Sequence, residues 1–185
     1  SWIDYDNNGL LDLFLSTSDG DLISNNNNCK DGDCQFTNIS TISTLWGSWQ
    51  HPGWADLDND GDLDIVVTQS NGKAELLQNE GGNRRNWMRL QTVGTISNRD
   101  GIGTRVIMTA DQKSQVQEVH TGSSYLCSND SNLSFGLGDS TMIDLLEIRW
   151  PSGIVQFLEN IPANQKIVIK EENSQKLLKI VRMND

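Results

Sequence analysis

Short segments in which apolar and polar residues alternate, or in which β-branched residues cluster, follow one another along the chain. Examples are LDIVVTQ (63–69), TRVIMTA (104–110), SQVQEVHT (114–121), LLEIRW (145–150) and KIVIKE (166–171). Clusters of Gly, Asn, Asp or Pro separate these segments, and no helical period is sustained over three turns before residue 170. Alternation at a period of two, bounded by turn residues, is typical of β-strands. The pattern therefore predicts an all-β protein.

The first part of the chain contains an internal repeat. Residues 1–16 align with residues 53–68 at an offset of 52. A second apolar segment follows each copy and ends at Asn25 and at Asn79, an offset of 54, which predicts two extra residues in the second hairpin turn. Short strands with a glycine-containing loop in each copy are typical of propeller blades or similar β arrays. Two blades cannot close a ring, so we expect them to pack on a second domain, on upstream sequence or on other copies of the chain.

The repeat stops near residue 80, and a different region of strand-like segments extends to about residue 171. We expect two propeller-type blades at 1–45 and 46–85, a β-sandwich-like domain at 86–171 and a C-terminal tail at 172–185. The apolar residues of the tail fit a short helix or an added strand equally well. Because the chain opens inside the first repeat, we expect it to be the C-terminal part of a longer protein.

The two repeat copies carry the same acidic loop. In DLDNDGDLD (56–64), side-chain oxygens recur at loop positions 1, 3, 5 and 9, and a glycine stands at position 6. Alternate residues can point oxygens inward, the glycine permits the sharp turn, and the carbonyl of position 7 can join, as in loops that wrap a hard cation. The predicted metal ligands are Asp4, Asp6, Asn8, Leu10 and Asp12 in the first loop and Asp56, Asp58, Asp60, Asp62 and Asp64 in the second.

Calcium is the cation that this spacing favours, with one Ca²⁺ ion in each loop. An EF-hand carries a glutamate at position 12 and has helical flanks, whereas Leu15 and Val67 occupy that position here and the flanks read as strands. Magnesium demands stricter octahedral geometry, and zinc would need more free histidine and cysteine than the chain offers. Since Asn8 is neutral where Asp60 is charged, charge count predicts tighter calcium binding by the second loop.

The charge and the cysteines of the chain limit its expected partners and cellular compartment. The formal net charge of −11 disfavours a nucleic-acid partner, and no apolar run approaches the about 20 residues that a membrane-spanning helix needs. Cys29 and Cys34 flank a polar turn and are predicted to form a disulfide, which implies an oxidising compartment. Cys127 has no evident partner and is expected to be a small buried thiol. Sequons that would accept glycans in a suitable host begin at Asn38, Asn129 and Asn132.

Both regions resemble known families. The acidic loops with their following strands resemble FG-GAP/VCBS repeats, which are calcium-binding blade units. The second region resembles the ASPIC/UnbV domain of the cartilage acidic protein family in the stretches SNRDGIGTRV (97–106), VHTGSSYLCSND (119–130), LSFGLGD (133–139), LLEIRWPSG (145–153) and LENIPANQ (158–165). This resemblance implies an extracellular or cell-surface calcium-binding protein without established catalytic activity.

The expected function is therefore an extracellular, calcium-binding, non-catalytic adhesion or binding module. Its expected partners are a protein or glycan at the cell surface, or copies of itself. The alternative is a structural subunit of a surface assembly or fibre that uses open blade edges and the tail. A calcium-dependent hydrolase is less favoured, because Ser123 and Ser124 lack a nucleophile-elbow pattern despite the nearby His120. A glycan-binding protein that uses Trp46, Trp49 and Trp54 is also less favoured, because Trp2 and Trp54 stand at matching repeat positions, as blade-packing residues would.

Overall fold

The computed structural model describes residues 1–17, 20–30, 33–42, 52–68, 73–123 and 127–172. These residues form fourteen strands and one short 3₁₀ helix, so the all-β prediction is confirmed. In the same part of the chain, no helix is long and apolar enough to cross a membrane. Trp46, Trp49, Ser124 and nearly all of the C-terminal tail lie outside the described residues.

The chain divides into two compact units. Unit 1 comprises Ser1–Arg84 together with Gly122–Asp130, and unit 2 comprises Arg85–Thr121 and the chain from Ser131 onward. Unit 1 is therefore discontinuous in sequence, with nine residues supplied from far downstream.

Unit 1 contains two antiparallel sheets. The first has the strand order β1 (Trp2–Ile3), β2 (Asp12–Thr17), β3 (Gly20–Lys30) and β4 (Asp33–Ile42). The second has the order β5 (Gly53–Ala55), β6 (Asp64–Val67) and β7 (Glu75–Leu77), and a 3₁₀ turn at Gly82–Arg84 follows it. Cys29 and Cys34 form a disulfide that joins the facing ends of β3 and β4, as predicted.

Side chains from both sheets build the apolar core of unit 1. Phe14 of β2 meets Trp54 of β5 edge to face, with ring centroids 5.5 Å apart. Such aromatic pairs contribute about 1 kcal/mol beyond their burial. The other buried members are Leu63, Ile65 and Val67. The β-branched residues of the second repeat copy thus face the first sheet, as the blade-like repeat requires.

Strand register corrects the predicted alignment of the two copies. Phe14 pairs with Ile23, and the equivalent pair in the second sheet is Val66 with Leu76. The first members are 52 residues apart and the second members are 53 apart, so the expected offset of 54 is wrong by one residue. The sequence comparison aligned Asn25 with Asn79 because the residues are identical. The hydrogen-bonding register instead aligns the second strands of the two copies at an offset of 53.

Downstream residues 127–130 bond to the edge of β5 inside unit 1. The side-chain oxygen of Asn129 accepts the Trp54 N–H at 3.2 Å, and the Asp130 N–H donates to the Trp54 carbonyl at 3.0 Å. Cys127, a half-buried free cysteine, donates its thiol to the Pro52 carbonyl at 2.9 Å. These bonds satisfy backbone groups that an edge strand otherwise leaves open.

Unit 2 is built from two sheets with a common core. One sheet has the order β10 (Lys113–Glu118), β9 (Arg105–Ala110), β12 (Met142–Arg149) and β13 (Val155–Pro162). The other has the order β11 (Leu133–Gly138), β8 (Asn86–Val93) and β14 (Gln165–Lys170), in which β14 runs parallel to β8. Met88 and Phe135 of one sheet and Met108 and Leu146 of the other belong to a single buried cluster.

A buried carboxylate closes the last strand of unit 2. Glu171 follows β14, is 1% exposed, and accepts the N–H groups of Thr95, Ile96 and Ser97 at 2.7–2.8 Å. The hydroxyls of Ser97 and Ser152 donate to its other oxygen. Burial alone would raise the pKa of Glu171, but these hydrogen bonds outweigh it and lower the pKa to about 2. The charged form therefore ties the 95–97 loop to the end of β14.

Candidate metal centre

Each acidic segment forms the loop between the first and second strands of its sheet. We call residues 4–12 loop 1 and residues 56–64 loop 2. Asn7 and Asn59, at position 4 of the loops, have φ of 55° and 61°. Gly9 and Gly61, at position 6, have φ of 86° and 98°. Most residues other than Gly and Asn rarely adopt these backbone angles, which explains why both copies have Asn at position 4 and Gly at position 6.

Three carboxylates converge in each loop. Single oxygens of Asp4, Asp6 and Asp12 lie within 4.8 Å of one another in loop 1. The same holds for Asp56, Asp58 and Asp64 in loop 2. In each loop the residues at positions 1 and 9 are buried, whereas Asp6 is half-buried and Asp58 is exposed. Clustered oxygen donors of this kind fit a hard divalent cation such as Ca²⁺.

Backbone N–H groups curl loop 1 around its carboxylates. Asp12 accepts the Tyr5 N–H at 3.1 Å with one oxygen and the Asn26 N–H at 2.7 Å with the other. Asp4 accepts the Asn8 N–H at 3.0 Å. A carboxylate oxygen has two acceptor positions, so each of these oxygens can bond an N–H group and still face a cation.

Loop 2 repeats this pattern position by position. Asp64 accepts the Leu57 N–H and the Asn79 N–H, both at 2.9 Å. Asp56 accepts the Asp60 N–H at 3.1 Å. The donors to Asp64 are displaced by 52 and 53 residues from those of Asp12, which agrees with the strand register. The two loops are therefore copies of one structure as well as of one sequence pattern.

Positions 5 and 7 differ between the loops. Asn8 accepts the Leu10 N–H at 2.7 Å, and Asp60 likewise accepts the Asp62 N–H at 3.1 Å. The second oxygen of Asp60 accepts the side-chain amide of Asn83, and Asp60 is outside the cluster of three carboxylates. The ligand roles of Asn8 and Asp60, and of the carbonyls of Leu10 and Asp62, stay predictions.

Burial and neighbouring charges shift the pKa of the Asp4 carboxyl. Burial raises the pKa of Asp4 to about 7. The Gly9 N–H opposes this shift, and the nearby charges of Asp12 and Asp6 add to it. Because burial and like charges both disfavour the ionised form, a positive ion in the loop would restore it. The donor set of loop 1 thus fits Ca²⁺ electrostatically as well as chemically.

Asp62 has no acidic counterpart in loop 1. Its side chain is fully buried, and one oxygen accepts the Asn83 N–H at 3.0 Å. The other oxygen has no hydrogen-bond partner within the described part of the chain. Burial raises the pKa of Asp62 to about 7, opposed by the Asn83 N–H and reinforced by Asp60 and Asp64. The Asp62 carboxyl therefore fastens loop 2 to the 3₁₀ turn.

Two amide side chains that sequence reasoning missed bond to the predicted ligands at position 3. The Asn25 amide donates to Asp6 at 2.9 Å, and the Gln78 amide donates to Asp58. Asn25 and Gln78 are related by the 53-residue offset that the strands follow. An amide residue at the same strand position in both copies was the available signal, and the misaligned offset concealed it.

The remaining predicted site residues are dispersed. Asn38 is exposed, Asn129 is half-buried with its side chain bonded to the Trp54 N–H, and Asn132 is half-buried. Glycosylation at these positions stays a prediction, and Asn38 is the most accessible of the three.

Two protein families match the chain. The family described as the FG-GAP-like repeat matches residues 4–67, which include both acidic loops. The family described as ASPIC and UnbV matches residues 94–176. The chain carries an FG-GAP-like repeat followed by an ASPIC and UnbV domain. The predicted architecture is thus confirmed, and no curated protein matches the chain.

The family boundaries and the compact units do not coincide. The ASPIC and UnbV match contains residues 122–130, which belong to unit 1. The FG-GAP-like match ends at residue 67, before β7 and the 3₁₀ turn that complete unit 1. Residues outside the FG-GAP-like match therefore take part in building its second sheet.

Proposed function

We propose that the chain is a calcium-binding, non-catalytic binding module that acts outside the cell. The match between the two loops carries this proposal. Each loop brings three carboxylates within 4.8 Å on a strand-to-strand turn, and equivalent N–H groups bond equivalent oxygens. Four of these six carboxylates are buried, two at the same positions of each loop. Burying a charge without a partner costs free energy, so a solvated acidic turn would leave these carboxylates exposed.

The role assigned to calcium is structural. Backbone N–H groups hold the clustered carboxylates in place. Carboxylates that bind a calcium ion are ionised and occupied, which leaves them poor proton donors. The Cys29–Cys34 disulfide supports an oxidising location, and the acidic net charge of −11 suits a protein that takes up cations. A protein or glycan at a cell surface is the proposed partner class.

Calorimetric titration of the metal-free chain tests the proposal. We expect two Ca²⁺ ions per chain and much weaker uptake of Mg²⁺. Asn8→Asp is expected to strengthen loop 1, and Asp60→Asn to weaken loop 2, each by roughly tenfold in affinity, because the charge count of the ligands tunes calcium affinity. A tenfold change corresponds to about 1.4 kcal/mol. A wild-type chain that takes up no calcium contradicts the proposal. Tighter binding by loop 1 than by loop 2 contradicts only the ordering by charge.

A structural subunit in an assembly of like chains is the second candidate, favoured by one exposed face of the first sheet. Trp2 is 57% exposed and lies against the exposed Phe36, with ring centroids 6.1 Å apart. Leu15, on the same face of the sheet, is also exposed. Trp54 and Val67 hold the equivalent positions of the second sheet and are buried in the core of unit 1. The equivalent face of the second sheet is buried, so the exposed apolar face of the first sheet is a candidate protein contact.

Sedimentation velocity tests the second candidate. The wild-type chain is expected to associate at high concentration, and the double variant Trp2→Gln with Leu15→Gln to sediment as a monomer. Val116→Gln, which replaces an exposed apolar residue of unit 2, serves as the control and is expected to leave association unchanged. A wild-type monomer at every concentration excludes this candidate.

A further inference from the structure

The two loops are in direct contact through Asn7. This residue is 2% exposed, and its side-chain amide donates to the carbonyl of Gly61 in loop 2 at 3.0 Å. The same amide donates to the carbonyl of Gly82 in the 3₁₀ turn at 3.2 Å. Asn59, at the same position of loop 2, is exposed. A buried side chain of loop 1 therefore bonds directly to Gly61, the glycine of positive φ at the turn of loop 2.

A second link runs through Asn79. Its side-chain amide donates to the Tyr5 carbonyl in loop 1 at 2.7 Å. Its backbone N–H donates to Asp64, the carboxylate at position 9 of loop 2, at 2.9 Å. One residue thus bonds the backbone of one loop and a predicted ligand of the other.

The 3₁₀ turn occupies the space between the loops. A Cβ atom on Gly82 would lie 2.5 Å from the Tyr5 carbonyl oxygen and 2.6 Å from Cβ of Asp62. The next residue, Asn83, donates its N–H to Asp62 at 3.0 Å. The backbone of the turn is therefore packed against both loops, so a shift of either loop at Tyr5 or Asp62 would press on it.

We propose that the two loops bind calcium with positive cooperativity, and that Asn7 is the main coupling residue. This inference rests on the proposed calcium-binding function. An ion in loop 1 orders the backbone at position 4, and Asn7 then holds Gly61 of loop 2 in the conformation suited to binding. The second ion has less of its loop left to order, so it binds more tightly. By linkage, loop 2 strengthens calcium binding in loop 1 by the same factor.

Stepwise calcium affinities measure this coupling. Asp6→Asn removes one clustered carboxylate from loop 1 and Asp58→Asn removes one from loop 2, so these variants give the affinity of each remaining loop alone. In about 0.15 M salt, which screens repulsion between the ions, we expect the wild-type product of affinities to exceed the product of the single-loop values by about tenfold. Asn7→Gly is expected to reduce this factor several-fold, and the links through Asn79 and the 3₁₀ turn carry what remains.

Asn59→Gly is the matched control for Asn7→Gly. Both substitutions replace an asparagine of positive φ at loop position 4 by the residue that tolerates this angle best, so their backbone effects are alike. Only Asn7→Gly removes a contact between the loops, and the control is expected to retain the tenfold factor. Independent binding in the wild-type chain, or an unchanged factor in Asn7→Gly, overturns the proposal.

A spectroscopic measurement covers the case in which Asn7→Gly does not fold. In Asp58→Asn, calcium fills loop 1 alone, and the amide NMR signals of Gly61 and Asp62 in loop 2 are expected to shift during the titration. Signals of loop 2 that stay fixed while those of loop 1 move refute the coupling. A wild-type chain that binds no calcium is a different outcome, because it removes the proposed function itself.

Discussion

Asp6→Asn is expected to abolish most of the stabilisation that calcium confers through loop 1, and Asp58→Asn that through loop 2. An ion bound only by the folded state adds about 4 kcal/mol to the free energy of unfolding when its concentration is a thousand times the dissociation constant. Without calcium, we expect both variants to be more stable than the wild-type chain. Asp4, Asp6 and Asp12 have oxygens within 4.8 Å of one another, so removing one charge relieves repulsion. Scanning calorimetry in calcium chloride and in EDTA measures both effects.

Asp139→Asn is the control for this pair of experiments. Asp139 is exposed and lies in unit 2, and its substitution changes the net charge by the same amount as Asp6→Asn. We expect it to match the wild-type chain in both buffers. If Asp6→Asn and Asp58→Asn respond to calcium as the wild-type chain does, the carboxylate clusters are not the source of the stabilisation.

Glu171→Gln is expected to lower the free energy of unfolding of unit 2 by about 3 kcal/mol at pH 7. The buried carboxylate accepts three backbone N–H groups and two hydroxyls, and bonds to a charged acceptor are stronger than those to a neutral one. Its pKa falls from 4.5 to about 2, and each pKa unit corresponds to about 1.4 kcal/mol. Urea unfolding followed by circular dichroism measures the difference.

The same substitution predicts a change in acid sensitivity. Because the pKa of Glu171 is lower in the folded chain than its ordinary value, the stabilisation is complete above about pH 5 and is lost as the pH falls towards 2. The gap in stability between the wild type and Glu171→Gln is therefore expected to narrow over this range. Glu172→Gln alters the adjacent, exposed glutamate and is expected to show no gap. A gap that stays constant with pH means that the Glu171 charge does not act in this way.

Local patterns in the sequence were sufficient to predict several of the strands and the acidic loops. The predicted ligands at positions 1, 3 and 9 lie within nine residues of one another, so their spacing alone predicts the carboxylate clusters that the structure shows. Alternation in segments such as 104–110 and 145–150 likewise predicts β9 and β12, because a strand that is buried on one face repeats every two residues. The Cys29–Cys34 disulfide closes a hairpin of the same short range.

Contacts between distant parts of the chain could not be predicted. Asn7 bonds residues that are 54 and 75 positions away, and nothing near Asn7 in the sequence distinguishes it from the exposed Asn59. Glu171 is a single glutamate at the end of a strand, and its donors lie 74–76 positions earlier. A hydrogen-bonded partner at such separation depends on the three-dimensional path of the chain, which a single sequence does not reveal.

The discontinuity of unit 1 has a consequence for protein synthesis. A ribosome releases the chain from the N-terminus, so both sheets of unit 1 emerge long before residues 122–130 are made. Until Asn129 and Asp130 emerge, the backbone N–H and carbonyl of Trp54 lack the partners that they have in the finished protein. The nascent chain therefore carries an unprotected strand edge while the next 45 or so residues are translated. A chaperone that shields this edge would suppress pairing between neighbouring nascent chains on the same mRNA.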